Sequence, residues 1–328
     1  MYDGMVQVDG CSWTFDGYTD KLAASKITAL NLTVAGASEE FTGALERIQG
    51  VLQRIDEDPK RLRLARTTDD VLAAGAQGAV AVVLNFQNGQ PLGQELGRLN
   101  LFRALGLRNI QLTYNERNAI GDGCLEPSGA GLSRFGRQVV RAMNGLGMLI
   151  DLSHTGRRTS MEAIELSEQP CVFSHANPKA LADNPRNLDD DQIRACADKG
   201  GVIGACAWGP ILWTGREEPP GLAELLDHID YLAELAGVDH VGVGTDSTSS
   251  IRDQHIFEHA REVNAAYPEV TDGFVARFGG TPLHRYPVPI HEFSSVARGL
   301  SGRGWAPGDV AKVVGGNFMR VWKQVWGA

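Results

Sequence analysis

GMLIDLSHTGRRTSMEAIELSEQPCVFSHANPKALADNPR, residues 147–186, is the stretch on which the fold turns. Two apolar runs, MLIDLS and CVFS, each end on a histidine, His154 and His175. Between them, residues 158–169 carry helical spacing. The pattern is strand, crossover helix, parallel strand, with both histidines leaving the carboxyl ends of their strands. In parallel α/β folds the loops at that end converge on one face, where ligands and catalysts sit. Arg186, eleven residues after His175, adds a cation suited to gripping a carboxylate.

Working outward, eight short β-like runs stand out, at 6–9, 27–34, 78–86, 109–114, 147–154, 171–175, 201–208 and 240–246. Most are continuously apolar rather than alternating, as expected of strands covered on both faces. Helical patterns fill most gaps: 38–56 with Ser38 as its cap, 67–74, 94–105, 132–146, 158–167, 188–199 and 222–236. Gly106 and Gly200 supply helix stops. The first strand-to-strand connection is short and is expected to lack a full helix. Eight strands with intervening helices over about 250 residues match a (β/α)8 TIM barrel. A doubly wound open sheet is the alternative, but no glycine-rich phosphate loop opens the chain. After Asp246 the spacing predicts a helix at 256–263, a long loop at 267–289, and helices at 291–300 and 307–325, the last started by Pro307. No repeat or linker divides the chain, so residues 1–328 read as one domain with C-terminal helices packed on the barrel.

A chain of 328 residues can bury a large core, and 43% hydrophobic with 22% charged residues is ordinary for a globular protein. A net charge of −9 speaks against a nucleic-acid partner. The five cysteines are scattered without metal-finger spacing, which suits reduced thiols. The amino terminus has no signal-like pattern and no apolar run reaches spanning length, so the expectation is a soluble, cytoplasmic protein.

The residues leaving the strand ends are Cys11 or Trp13, Gln87, Tyr114, His154, His175, Trp208 and Asp246. His154, His175 and Asp246, from three strands, form a set able to hold a divalent metal and lower the pKa of its water. Asp246 could instead shuttle the proton beside that water. The bland alternatives are hydrogen-bonding strand-end histidines, and an Arg186 that pairs with the acidic helix start at Asp189–Asp191. Trp322 and Trp326 read as packing, and His228, His240, His255, His259, His284 and His291 as surface or core.

Longer motifs carry a family likeness. GLSRFGRQVVRAMNGLGMLIDLSHTG (131–156), FSHANPKALADNPRNLDDDQI (173–193), HVGVGTD (240–246) and GGNFMRVW (315–322), preceded by FRALGLRNIQLTYNERN (102–118), resemble the membrane (renal) dipeptidase family of the amidohydrolase superfamily. The likeness runs from about residue 79 to the carboxyl end, with a trace at Val8-Asp9-Gly10. It implies a (β/α)8 barrel that hydrolyses dipeptides, usually with two zinc ions. By that resemblance His154 and His175 match metal ligands, Arg186 matches the arginine that binds the substrate carboxylate, and Asp246 matches the aspartate beside the metals. Other positions depart. The family's first strand ends in D-G-H-x-D, but Asp9-Gly10-Cys11-Ser12-Trp13 lacks both ligands; the bridging glutamate aligns with Gln87; a substrate-contacting histidine aligns with Tyr114.

A neutral amide cannot hold two cations together, so a binuclear site is not expected. What survives is one site from His154 and His175, completed by Gln87 or Asp246 and water, with at most one zinc. Cys11, Asp16 and Asp20 are the candidates to compensate on the first strand. Tyr114 keeps a hydroxyl to orient a substrate. The expected function is therefore a dipeptidase-like amide hydrolase acting on a small carboxylate-bearing substrate. The alternative is a metal-free barrel that binds a small anion or does other hydrolytic chemistry. A homodimer is expected by analogy with the family.

Overall fold

A computed structural model describes residues 4–13, 22, 25–247, 254–279 and 286–327. Its strands are β1 (Val8–Ser12), β2 (Ala29–Ala35), β3 (Leu62–Leu64), β4 (Val80–Phe86), β5 (Leu107–Gln111), β6 (Leu149–Asp151), β7 (Val172–Phe173), β8 (Val202–Cys206) and β9 (Val241–Gly244). All pairings are parallel, in the order β1-β2-β4-β5-β6-β7-β8-β9. The ends meet: Ser12 bridges Ser247 in parallel, and the Asp246 amide donates to the Cys11 carbonyl at 2.9 Å. Asp9, buried at that seam, accepts from the Thr245 amide at 2.7 Å and the Thr245 hydroxyl at 2.6 Å, fixing β1 against β9. The eight strands expected from the sequence form a (β/α)8 barrel, and Leu62–Leu64 is an extra strand outside the circle. It pairs with the first half of β4 (Leu62↔Val80), while β5 takes the second half (Leu84↔Leu107). Three residues, one of them the exposed Arg63, are too short to announce a strand by pattern.

Alternate strand residues face two cores, the period expected of a β-strand. Leu30, Leu32, Val82 and Leu84 face the outer helices. Val8, Ala29, Ala81, Val83, Leu149 and Val202 face inward, where Phe318, Trp322 and Trp326 of the last helix pack against them. Gly10 and Gly242 make room for this plug. A Cβ on either would lie about 2.6 Å or 2.5 Å from the Phe318 ring.

Several boundaries differ from the sequence reading. The helix Phe41–Glu57 begins after Glu40, whose side chain makes no capping hydrogen bond, rather than at Ser38; the Glu39 carboxylate turns back to accept the Gly36 amide at 3.0 Å. The stretch expected as a loop at 267–289 contains the helix Pro268–Phe278. Its proline sits at the first helical position, where the missing N–H costs nothing, and Phe274 meets Trp213 edge-on at 6.4 Å. The single helix expected at 307–325 is two, Pro307–Ala311 and Asn317–Trp326, joined through a wide turn at Lys312–Gly316. There the segment leading into β1 comes so close that a Cβ on Gly315 would lie 2.3 Å from the Val6 carbonyl oxygen. Most of the first strand-to-strand connection, with Asp16 and Asp20, lies outside the described residues, as do the side chains of His255, His259 and His284.

Candidate active site

The carboxyl ends of the strands open on a cavity of about 600 Å³, lined by Trp13, Gln87, Tyr114, His154, Arg186, Trp208 and Asp246 among others. His175 lies just beneath, wholly buried. Every strand-end candidate from the sequence thus reaches one place. Among the described residues only three non-glycine positions have left-handed backbone, and two are His154 (φ 61°) and Asp246 (φ 49°). Such strain persists where the surrounding structure enforces it, commonly at functional positions.

The two imidazoles face each other, His154 Nε2 to His175 Nε2 at 3.0 Å. Each ring's other nitrogen is held from behind. His154 Nδ1 is 2.6 Å from Asn115 Oδ1, and His175 Nδ1 is 2.8 Å from the Ser174 hydroxyl. Ser174 donates onward to the buried Asp151 carboxylate, which also accepts the Ser153 and Ser174 amides at 3.0 Å each. With Asn115 Oδ1 accepting and the Ser174 proton committed to Asp151, both Nδ1 atoms are N–H donors. Both Nε2 atoms are then left as lone pairs aimed at one point. Lone pairs 3.0 Å apart repel unless a cation or proton lies between them. Outer acceptors that fix the tautomer in this way are the usual companions of metal-ligating histidine. Burial, and next the Arg186 charge, holds both imidazoles well below the ordinary histidine range, so they are neutral and able to ligate.

Opposite the histidines the polar groups are uncharged or already paired. Gln87 Nε2 donates to Cys11 Sγ at 2.8 Å and to Asp246 Oδ1 at 3.3 Å. Asp246 is half-buried, and burial pushes its carboxyl up to about 6 against the opposing pull of Arg186, Gln87 and Cys11. Burial pushes the Cys11 thiol well up, and Asp246 adds to the shift. Tyr114 stacks on His154 with ring centroids 4.0 Å apart, and burial raises its phenol well above the usual range, so the hydroxyl stays a donor.

Arg186 does not pair with the following helix start; Arg157 takes that role with Asp189 and Asp191. The buried Arg186 side chain donates from Nη2 to the His175 carbonyl at 2.9 Å, and its Nη1 has no hydrogen-bond partner among the described residues. A buried guanidinium N–H left without an acceptor on a cavity wall is a site for an anionic oxygen. The sequence reading passed over Asn115, Asp151 and Ser174. Polar residues inside otherwise apolar strands, as in MLIDLSH and VFSH, were the available signal.

A dipeptidase family model matches residues 18–280, by its description membrane dipeptidase (Peptidase family M19). The chain belongs to this family. The match begins after Cys11 and Trp13, where the first-strand motif departs. Dipeptidase verJ of Clonostachys rogersoniana is 31% identical over 211 residues, covering 63% of this chain and 53% of that protein. Dipeptidase tcpJ of Claviceps purpurea is 27% identical over 279 residues, 84% of this chain and 58% of that one. The chain spans about half the length of these curated relatives. An amidohydrolase from Pseudomonas aeruginosa superimposes with a TM-score of 0.86 at 28% identity, covering 99% of this chain and 97% of that one.

The family implies zinc, and the side chains test that implication. One ion fits: Cys11, His175 and Asp246 each bring a ligand atom, all within 4.8 Å of one another, and His154 Nε2 stands 3.0 Å from His175 Nε2. Among the described residues nothing supplies the ligands of a second ion: Gln87 offers an N–H where a bridging carboxylate would be needed, and Trp13 has no donor lone pair. Among the described residues no helix is long and apolar enough to cross a membrane.

Proposed function

We propose that this barrel hydrolyses the amide bond of a dipeptide or a similar small carboxylate-bearing substrate, at a site holding at most one zinc ion. The observation that carries the reading is that Arg186 Nη1, on the wall of the cavity lined by His154 with His175 beneath it, has no hydrogen-bond partner among the described residues. His154 and His175, with Asp246, would hold the ion, which when bound supplies Lewis acidity to activate water. Arg186 grips the substrate carboxylate and sets its register. Asp246, beside the ion, would take a proton from the attacking water and return it to the leaving amine. The Tyr114 hydroxyl donates to a substrate oxygen. Trp13 and Trp208 border the cavity and limit water around the bound substrate.

The test is zinc-loaded protein assayed on a broad panel of dipeptides and their carboxy-amidated counterparts. Free dipeptides are expected to be hydrolysed and amidated ones poorly. Arg186→Met is expected to lower kcat/KM on free dipeptides by about 30- to 3,000-fold, the range for truncating one partner of a buried charge pair. No turnover across the panel would overturn the proposal. The hydrogen-bonded Gln87, Cys11 and Asp246 group favours a second reading, a metal-free barrel that binds a small anion without turnover. Binding of dipeptides without hydrolysis would support it.

A further inference from the structure

We propose that Cys11 is a thiolate ligand of the single metal site, and that Gln87 serves that sulfur as a hydrogen-bond donor rather than ligating the ion. The proposal rests on the reading of a metal-dependent site given above and names its first-strand donor.

Three observations carry it. First, Cys11 Sγ, a His175 ring nitrogen and an Asp246 carboxylate oxygen lie mutually within 4.8 Å, from β1, the end of β7 and the end of β9. That spread is compatible with one ion at zinc–sulfur and zinc–oxygen or –nitrogen distances of roughly 2.0–2.3 Å. Second, the lone pair of His175 Nε2 points away from its Ser174–Asp151 support, so this nitrogen is oriented to ligate. Third, the Gln87 amide turns its N–H side, not its oxygen, toward the site, at 2.8 Å from sulfur and 3.3 Å from Asp246 Oδ1. A side chain so placed presents no lone pair to a cation. It offers protons to two groups that are anionic once a metal is bound.

Charge makes the substitutions coherent. A thiolate and a carboxylate balance a divalent ion, with neutral imidazoles beside them, so the ion and its ligands carry no net charge and the Arg186 guanidinium keeps its charge for the substrate carboxylate. A glutamate at 87 would set a third anionic group beside the Cys11 sulfur and Asp246 in a poorly solvated place, an arrangement that a second cation would offset. Loss of the first-strand histidine and loss of the bridging carboxylate are then a single change, from two ions to one sulfur-ligated ion. When the ion enters, the Cys11 S–H proton leaves to solvent as the sulfur–metal bond forms, with no change in oxidation state. A thiolate donor selects zinc over magnesium, calcium or manganese.

The experiment uses purified full-length protein, stripped with a chelator and titrated with cobalt(II), beside X-ray absorption of the zinc form. Wild type is expected to show visible cobalt bands with a sulfur-to-cobalt charge-transfer band in the near ultraviolet, and a zinc–sulfur shell at roughly 2.3 Å. Cys11→Ser is expected to lose the charge-transfer band and to bind the ion at least about tenfold more weakly. Cys206→Ser, a buried thiol outside the ligand group, is expected to keep the band. Bound metal with only nitrogen and oxygen neighbours would overturn the thiolate ligand while leaving the hydrolase reading standing. A protein that binds neither ion would overturn both. A sulfur-ligated ion in a protein that cleaves no dipeptide would support this proposal and overturn the hydrolase reading. Should Cys11→Ser not fold, the wild-type sulfur shell still decides whether sulfur ligates, and loss of the band in Cys206→Ser would overturn the assignment to Cys11.

Discussion

The two sides of the barrel mouth differ in how their polar groups are supported. On the β6–β7 side, His154 and His175 each stand on an outer acceptor, Asn115 and the Ser174–Asp151 pair, which orients the ring and leaves one lone pair free. On the β1–β4 side, Cys11 and Gln87 satisfy each other and Asp246 across the site. The first arrangement is incomplete without something between the rings; in the second, Cys11 and Gln87 are paired without a charge of their own, and the sulfur becomes an anionic ligand only after its proton leaves. One side of the mouth thus holds its polar atoms ready for a ligand, and the other is closed on itself through mostly neutral side chains.

A third buried imidazole tests whether burial alone produces the first kind of arrangement. His228 is fully buried and donates from Nε2 to the Leu212 carbonyl at 2.9 Å, but among the described residues its Nδ1 has no hydrogen-bond partner and it joins no group of close metal-ligating side chains. Burial lowers its pKa to about 4 from an ordinary 6.5. The unfolded chain therefore binds a proton that the folded chain refuses between those values. The stability this neutral histidine allows is fully present above about pH 6.5 and is lost as the pH falls toward 4, at most about 3 kcal/mol. Denaturant unfolding of the metal-free protein at pH 7 and pH 4 is expected to show a smaller acid loss in His228→Gln than in wild type, by up to that amount. Metal binding should be unchanged in the variant. An equal acid loss in both proteins, or weakened metal binding, would remove the distinction between His228 and the paired rings.

Much of this was legible in the sequence. The continuous apolar runs gave the barrel strands because parallel strands are buried on both faces, and the histidines that end two of those runs, His154 and His175, marked the site because strand ends converge. Leu62–Leu64 escaped because three residues carry no period, and Pro268–Phe278 because a proline and a glycine read as loop where one served as a helix start. The orientation of Gln87 could not be read at all. Whether an amide shows its N–H or its oxygen depends on what faces it, here a sulfur and a carboxylate brought from residues 11 and 246 by barrel closure.

Ser174→Ala sharpens the comparison from the supported side. Removing the hydroxyl leaves His175 Nδ1 without its acceptor and cuts the link to Asp151, while the apolar packing around β7 is nearly unchanged. Zinc affinity, measured by competition with a chromogenic chelator, is expected to fall about 10- to 100-fold. Tyr114→Phe, which alters a ring stacked on His154 without touching its outer acceptor, is expected to change that affinity less than about threefold. Equal losses in the two variants would mean that the outer hydrogen bonds have no special part in holding the ion.

The smallest expected effect is the most informative about the rebuilt side. Gln87→Glu places a carboxylate at the position that the sequence resemblance aligns with a bridging glutamate, yet elemental analysis is expected to find no more zinc in the variant than in wild type. The reason is local. A second ion would need donors on the first strand; Trp13 has none to give, and Cys11 is proposed to serve the one ion already present. The new carboxylate would instead face the Cys11 sulfur and Asp246 in place of an N–H donor, exchanging two attractive contacts for two repulsive ones. If the single substitution raised the content to two ions, the β1 side would have kept a working second site, and the contrast between the two halves of the mouth would rest on Gln87 alone.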